Sequence, residues 1–94
     1  MKQGHENKAV ISVLGADRPG IVAKLSNCLA QAQCNILEMS QTIVDGIFTM
    51  TLIVQLHEHK DFSELKDKLE FLAQELQVQI QFQRYEIFDY MYRV

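Results

Sequence analysis

Asp45-Gly46 constrains this chain more than any other pair of residues. It is a two-residue link between two runs rich in β-formers, residues 36–44 and 47–56. Both central positions of such a tight link need positive φ, which Gly and Asp tolerate, so the runs must fold back on each other as a hairpin. Counting away from the turn sets the register. Val44 should oppose Ile47, Thr42 oppose Thr49, Ser40 oppose Thr51 and Glu38 oppose Ile53 on one side. On the other side Ile43, Met39 and Leu37 should oppose Phe48, Leu52 and Val54, with Gln41 opposite Met50. One face is then core, and the other is open and mostly hydroxyl-bearing.

The remaining elements follow from periodicity. Residues 8–14 form an apolar run broken only by Ser12 and ending at Gly15, the pattern of a central strand. From Pro19 to about Gln33, the residues Ile21, Val22, Leu25, Cys28, Leu29 and Ala32 make the stripe of an amphipathic helix, which Cys34-Asn35 should end through the left-handed tolerance of Asn. After a polar connection, His57-Glu58-His59-Lys60, Asp61 should cap a second helix running to about Leu76, with Glu64 at the capping-box position. Its apolar stripe is Phe62, Leu65, Leu69, Leu72, Ala73 and Leu76. Residues 77–83 alternate without exception, with Val78, Ile80 and Phe82 inward and glutamines outward. The last stretch carries Tyr85, Ile87, Phe88, Tyr90, Met91 and Tyr92, too much apolar surface for a free tail. Ile87, Phe88 and Met91 can share one helix face, and the sequence leaves open whether this arm packs on its own domain or on a partner chain.

Strand, helix, strand, strand, helix, strand, with both helices amphipathic and one sheet face polar, predicts an α+β fold. It is the ferredoxin-like βαββαβ two-layer sandwich, an antiparallel sheet with both helices on one face, the first and third strands central and the second and fourth at the edges. The expected division is a flexible segment 1–7, a domain 8–84 and a C-terminal arm 85–94. The 94 residues suffice for one small core, and 48% hydrophobic against 22% charged residues suits a compact domain. A formal charge of -3 with scattered Lys and Arg argues against binding to a phosphate backbone. The polar first eight residues and the lack of any long apolar run predict a cytoplasmic protein without membrane contact. Cys28 and Cys34 are expected to be reduced thiols, Cys28 as a small core residue.

The residues with chemical promise lie where the first strand runs into the first helix, Gly15-Ala16-Asp17-Arg18-Pro19-Gly20-Ile21-Val22. Asp17 can cap the helix, Pro19 suits a first turn where a missing N–H costs nothing, and Gly20 leaves the turn bare. Free amides and the positive end of the helix dipole would then face the loop, a small anion site that suits a carboxylate. The same residues equally well do no more than turn the chain and start a helix. Elsewhere, His57-x-His59 lacks a third metal ligand close in sequence, and Gln41 is a polar residue on a core-facing position that either satisfies nearby backbone or meets a partner. Arg18 and Asn35 superficially match the loop Arg and strand Asn of acylphosphatases, but the Gly-rich phosphate cradle ending in Phe-Arg is missing and no nucleophile and base pair is visible. An RNA-binding sheet would present aromatics, whereas this open face presents Ser, Thr and Gln.

The run Gly15-Ala16-Asp17-Arg18-Pro19-Gly20-Ile21-Val22, followed by Asn35-Ile36, resembles the signature of ACT domains, small regulatory modules attached to amino-acid metabolic enzymes. Ser40-Gln41-Thr42 with Phe48-Thr49-Met50 is similar to the stand-alone bacterial ACT proteins and to the ACT halves of glycine cleavage repressors. The resemblance covers residues 8–91. It implies a homodimer joined through the sheets and a small ligand, usually an amino acid, between two domains, with no cofactor, no metal and no catalytic residues. Gly15, Asp17 and Gly20 would form the ligand loop, with Arg18, Pro19 and Ile21 in the same motif and Asn35 and Ile36 at the start of the second strand. If two second strands pair antiparallel, Asn35 of one copy approaches residues 17–20 of the other. The implied role is modulation of a metabolic or transcriptional protein partner; the alternative is an interaction domain that kept the fold without the ligand.

Overall fold

The computed structural model describes residues 7–57 and 62–85. In chain order the elements are β1 (Lys8–Ala16), α1 (Ile21–Gln31), β2 (Cys34–Val44), β3 (Ile47–Leu56), α2 (Phe62–Leu76) and β4 (Gln79–Arg84). The strands form one antiparallel sheet in the order β2-β3-β1-β4, as the ferredoxin-like arrangement requires. Asp45 and Gly46 have φ of 54° and 77°, the two positive values expected of a hairpin link that matches the strand twist. Next to it the predicted register holds from Val44 opposite Ile47 to Glu38 opposite Ile53.

Beyond Glu38 the register changes. A bulge at Leu37 shifts the pairing by one residue, so Ile36, not Leu37, faces Val54. The extra residue has a clear consequence for polarity, because side chains alternate faces along a strand. An unbroken register would place Asn35 opposite Leu56, inside the core; the bulge instead pairs Cys34 with Leu56 and Asn35 with Gln55. Cys34 is accordingly 9% exposed, while Asn35 faces water. Burial, reinforced by the nearby Cys28 thiol, pushes Cys34 up to about 11, so it stays a neutral thiol.

The alternation predicts a core face on the helix side of β2, but Met39 and Ile43 are 49% and 51% exposed. They belong to the edge strand of the sheet and lie outside the buried cluster. The core lies instead between the helices and the other three strands, joined from β2 only by Cys34 and, partly, Ile36 at its start. Ile21, Leu25 and Leu29 of α1 and Leu65, Leu69 and Leu72 of α2 pack on Ala9, Ile11, Val13, Phe48, Met50, Leu52 and Val54. Each fully buried leucine contributes about 1.5–3 kcal/mol. Phe62 stacks on Phe82 at 4.3 Å between centroids, and the Arg84 guanidinium lies 4.5 Å above the Phe62 ring, tying the start of α2 to the end of β4.

Element ends differ from the sequence reading for local reasons. Strand β1 continues through Gly15 to Ala16 because β3 keeps pairing with it as far as Ile47. Helix α1 begins at Ile21, after Pro19, and the left-handed exit is taken by Gln33 with φ 58°, since Asn35 already belongs to the β2 ladder. Gln77, φ 58°, plays the same part between α2 and β4, which delays β4 to Gln79. Residues 1–6 of the N-terminal segment, His59 of the His-x-His pair, the Asp61 cap and residues 86–94 of the arm lie outside the described residues.

Candidate functional site

Helix α1 starts without side-chain help. Its N-cap is Gly20, held at φ 90°, whose carbonyl accepts the first helical bond from the Lys24 amide at 2.9 Å. The cap expected from Asp17 is not formed: the helix begins three residues later than Asp17 would require, and no side chain bonds the first turn. Pro19 therefore precedes the cap and does not occupy the first turn. The first turn also carries no acidic residue of its own to offset the positive end of the dipole. A Cβ added at Gly20 would meet nothing within 4 Å, which leaves the approach to these amides open.

The other loop residues have structural duties. The Asp17 amide donates to the Gly46 carbonyl at 2.9 Å, fastening the loop to the tip of the β2–β3 hairpin. Arg18 turns away from the helix start and donates through Nη2 to the carbonyl of Leu76, the last residue of α2. A cation there meets the negative end of the α2 dipole and an otherwise unpaired carbonyl. Arg18→Ala should therefore lower stability by about 0.5–1 kcal/mol, read as a fall in the urea midpoint, without changing any ligand response. Gly15 is packed against the chain itself, since a Cβ at this position would lie 2.5 Å from Val78 Cγ1 and 2.9 Å from Val78 Cβ. Ile21 is 2% exposed and belongs to the core.

Asn35 and Ile36 are not near this loop in the same chain. Asn35 pairs with Gln55, which faces Lys8 at the start of β1, whereas the loop follows Ala16. Eight residue steps along β1 separate the two ends of the sheet by roughly 26 Å. Asn35 instead borders a shallow depression of about 460 Å³ with Gln33, Gln55 and His57. Ile36 packs against the core. Two further depressions, of about 330 and 260 Å³, lie between α2 and β4 and on the open sheet face, and neither touches residues 15–21. Among the described residues no three His, Cys, Asp or Glu side chains gather to hold a metal, and no helix is long and apolar enough to cross a membrane.

Sequence reasoning misses the partners of this loop, Gly46, Leu76 and Val78. Gly46 is accessible to it in principle, because pairing the first strand with the third places Ala16 beside the hairpin. Leu76 and Val78 are not, since the crossing of α2 over the sheet sets their positions.

Comparison with known proteins gives the same architecture a lineage. The sequence profile of the ACT domain matches residues 7–83. The chain belongs to the ACT-domain family. A UPF0237 protein of Methanocaldococcus jannaschii is 46% identical over 89 residues, covering 94% of this chain and 99% of that protein. An ACT domain protein from Streptococcus pneumoniae superimposes with a TM-score of 0.77 at 41% identity, over 87% of this chain and 93% of that one. A putative glycine cleavage system transcriptional repressor superimposes with a TM-score of 0.75 at 25% identity; the match spans 82% of this ACT domain and 44% of the repressor chain. The resemblance carried by residues 15–22 and 40–50 thus extends over the whole βαββαβ unit.

Proposed function

We propose that this ACT domain is a small regulatory protein that binds an amino acid between two copies of itself and passes the signal to a metabolic or transcriptional partner. The observation that carries the reading is the first turn of α1, without a side-chain cap or an acidic residue of its own, fastened through Asp17 and Gly46 to the end of the edge strand β2. Edge strands are seldom left bare, and this one exposes Leu37, Met39, Ile43 and Val44 at 41–59%. An antiparallel pairing of two β2 strands centred near Met39 brings the Asn35 end of one strand alongside the Ile43 end of the other, close to the hairpin tip and the start of α1. A carboxylate then takes the α1 amides, while Asn35 from across the interface and loop carbonyls accept from the ammonium group. Two equivalent sites result, and the bound amino acid strengthens the dimer by linkage.

The exposed apolar edge also supports a simpler reading, a dimer or interaction domain without a ligand. A thermal-shift and isothermal-titration panel of the free amino acids separates the two. The ligand reading expects one amino acid to raise the melting temperature and to bind with one site per chain; silence across the panel leaves the interaction domain. Both readings require the edge. Lysine at Met39 and Ile43 together, positions already half in water, should weaken self-association at least tenfold by sedimentation while leaving the monomer folded. A variant that still sediments as wild type would remove β2 as the interface.

A further inference from the structure

The sheet has a second edge. Strand β4 lies on the opposite side from β2, and among the described residues no strand pairs with its outer side. Which backbone groups it offers follows from the hairpin. Val44 and Ile47 close a two-residue turn and exchange backbone bonds with each other, so Phe48, Met50, Leu52 and Val54 turn theirs toward β1. The amides of Asp17 and Leu56, which donate to the carbonyls of Gly46 and Asn7, continue the same alternation at both ends of the β1–β3 pair. Strand β1 therefore gives its odd-numbered residues to β3 and directs Val10, Ser12 and Leu14 at Gln83, Gln81 and Gln79. The N–H and C=O groups of Ile80, Phe82 and Arg84 are left pointing outward.

Beside these groups runs a groove of about 330 Å³ between β4 and α2. Its floor is Ile80 and Phe82, half-buried on the helix side of the sheet, together with the buried Leu69. Its wall on α2 is the Lys66–Glu70 ion pair, 2.8 Å apart on adjacent turns. A strand laid along β4 takes the outward backbone groups and presents alternate side chains to two different surfaces, this apolar floor on one side and the β4 glutamines on the other. The edge thus specifies a segment of about six residues, roughly 20 Å long, apolar at every second position and polar between.

We propose that the outer edge of β4 is the docking site for an extended segment of a different protein, which joins the sheet as an added strand. A second copy is the poorer occupant for two reasons. Stable interfaces between folded chains use about 20–30 residues a side. Strand β4 has six residues, against eleven in β2, and the groove adds little more than one turn of α2. Copies joined through both β2 and β4 would also extend the sheet without closure. A short extended segment needs no more than this edge offers, because its affinity comes from main-chain bonds and its specificity from alternate side chains. The edge shares no residue with the amino-acid site and docks its segment whether or not an amino acid binds.

Amide hydrogen exchange of the full chain, followed by NMR, tests it. The probe is a soluble end-capped peptide of about eight residues that alternates valine and threonine, and the control has the same composition in two blocks. With the alternating peptide in excess, the amides of Ile80, Phe82 and Arg84 should exchange roughly threefold or more slowly than in the free chain, and the control should leave them unchanged. Arg84→Pro removes one outward donor at the end of the strand and should weaken peptide binding roughly threefold to tenfold, whereas Arg84→Ala, which keeps the amide, should bind as wild type. No slowing at the three amides, slowing confined to β2, an equal effect of the control, or an Arg84→Pro protein that binds normally would overturn the proposal. Protection of the three amides without peptide would overturn it as well: growth with protein concentration would make a second copy the occupant, and protection at every concentration would make it the chain itself.

Discussion

Gly15→Val is expected to destabilise the domain by about 3 kcal/mol, a large part of the 5–15 kcal/mol that holds a small domain folded. The backbone here is an ordinary strand, paired with Phe48, and is not in the left-handed region. The glycine is required by crowding: the space where a Cβ would stand holds the Val78 side chain at 2.5 Å, and even the Val78 Cα lies 3.3 Å away. A side chain at this position must push the α2–β4 connection off the sheet. Gly15→Ala should cost less, about 1–2 kcal/mol. Trimming the opposing residue, Val78→Ala, should recover part of that loss in the double variant, since the two residues share one contact. Chemical denaturation of the four proteins measures the coupling. Simple addition of the two single effects would show that Gly15 does not answer to Val78.

Gly20→Val is expected to act on binding more than on folding. The open space around Gly20 removes any clash, so the folding cost is that of a β-branched residue held at φ 90°, about 1–2 kcal/mol. That cost leaves a folded protein. The same side chain stands beside the amides of Ile21 and Val22 and takes the place of an incoming carboxylate. Amino-acid binding should weaken at least a hundredfold, about 2.7 kcal/mol, in isothermal titration. Gly20→Asn, which tolerates the left-handed conformation better, separates strain from occlusion: it should fold nearly as well as wild type and still bind poorly. A Gly20→Val protein that binds normally would remove the first turn of α1 from the site.

These two glycines show what is legible in the sequence and what is not. Both sit in the motif Gly15 to Val22, and the motif by itself makes both of them parts of one ligand loop. Gly15 is small because of Val78, a contact between strand β1 and a connection more than sixty residues later, which no local pattern encodes. The element order, the strand order and the register beside Asp45-Gly46 are readable because alternation and turn chemistry act over a few residues. The bulge at Leu37 is hidden, although a polar Asn35 and an apolar Cys34 that both land on the wrong face without it are the trace it leaves. The Asp17 cap fails because Gly20 can adopt φ 90° and start the helix three residues later. Arg18, open in the sequence, is drawn to the end of α2 by a carbonyl that only the tertiary fold brings near.

The central claim is that each site takes its amides from one copy and its Asn35 from the other, and subunit mixing tests it most directly. Gly20→Val and Asn35→Ala chains should each bind the panel's amino acid poorly when alone. Mixed in equal amounts and allowed to exchange, they form heterodimers in which one site carries both defects and the other carries neither. Titration of the mixture should then recover about one quarter of the wild-type sites at wild-type affinity. A mixture that binds no better than its components would contradict a site shared between two chains.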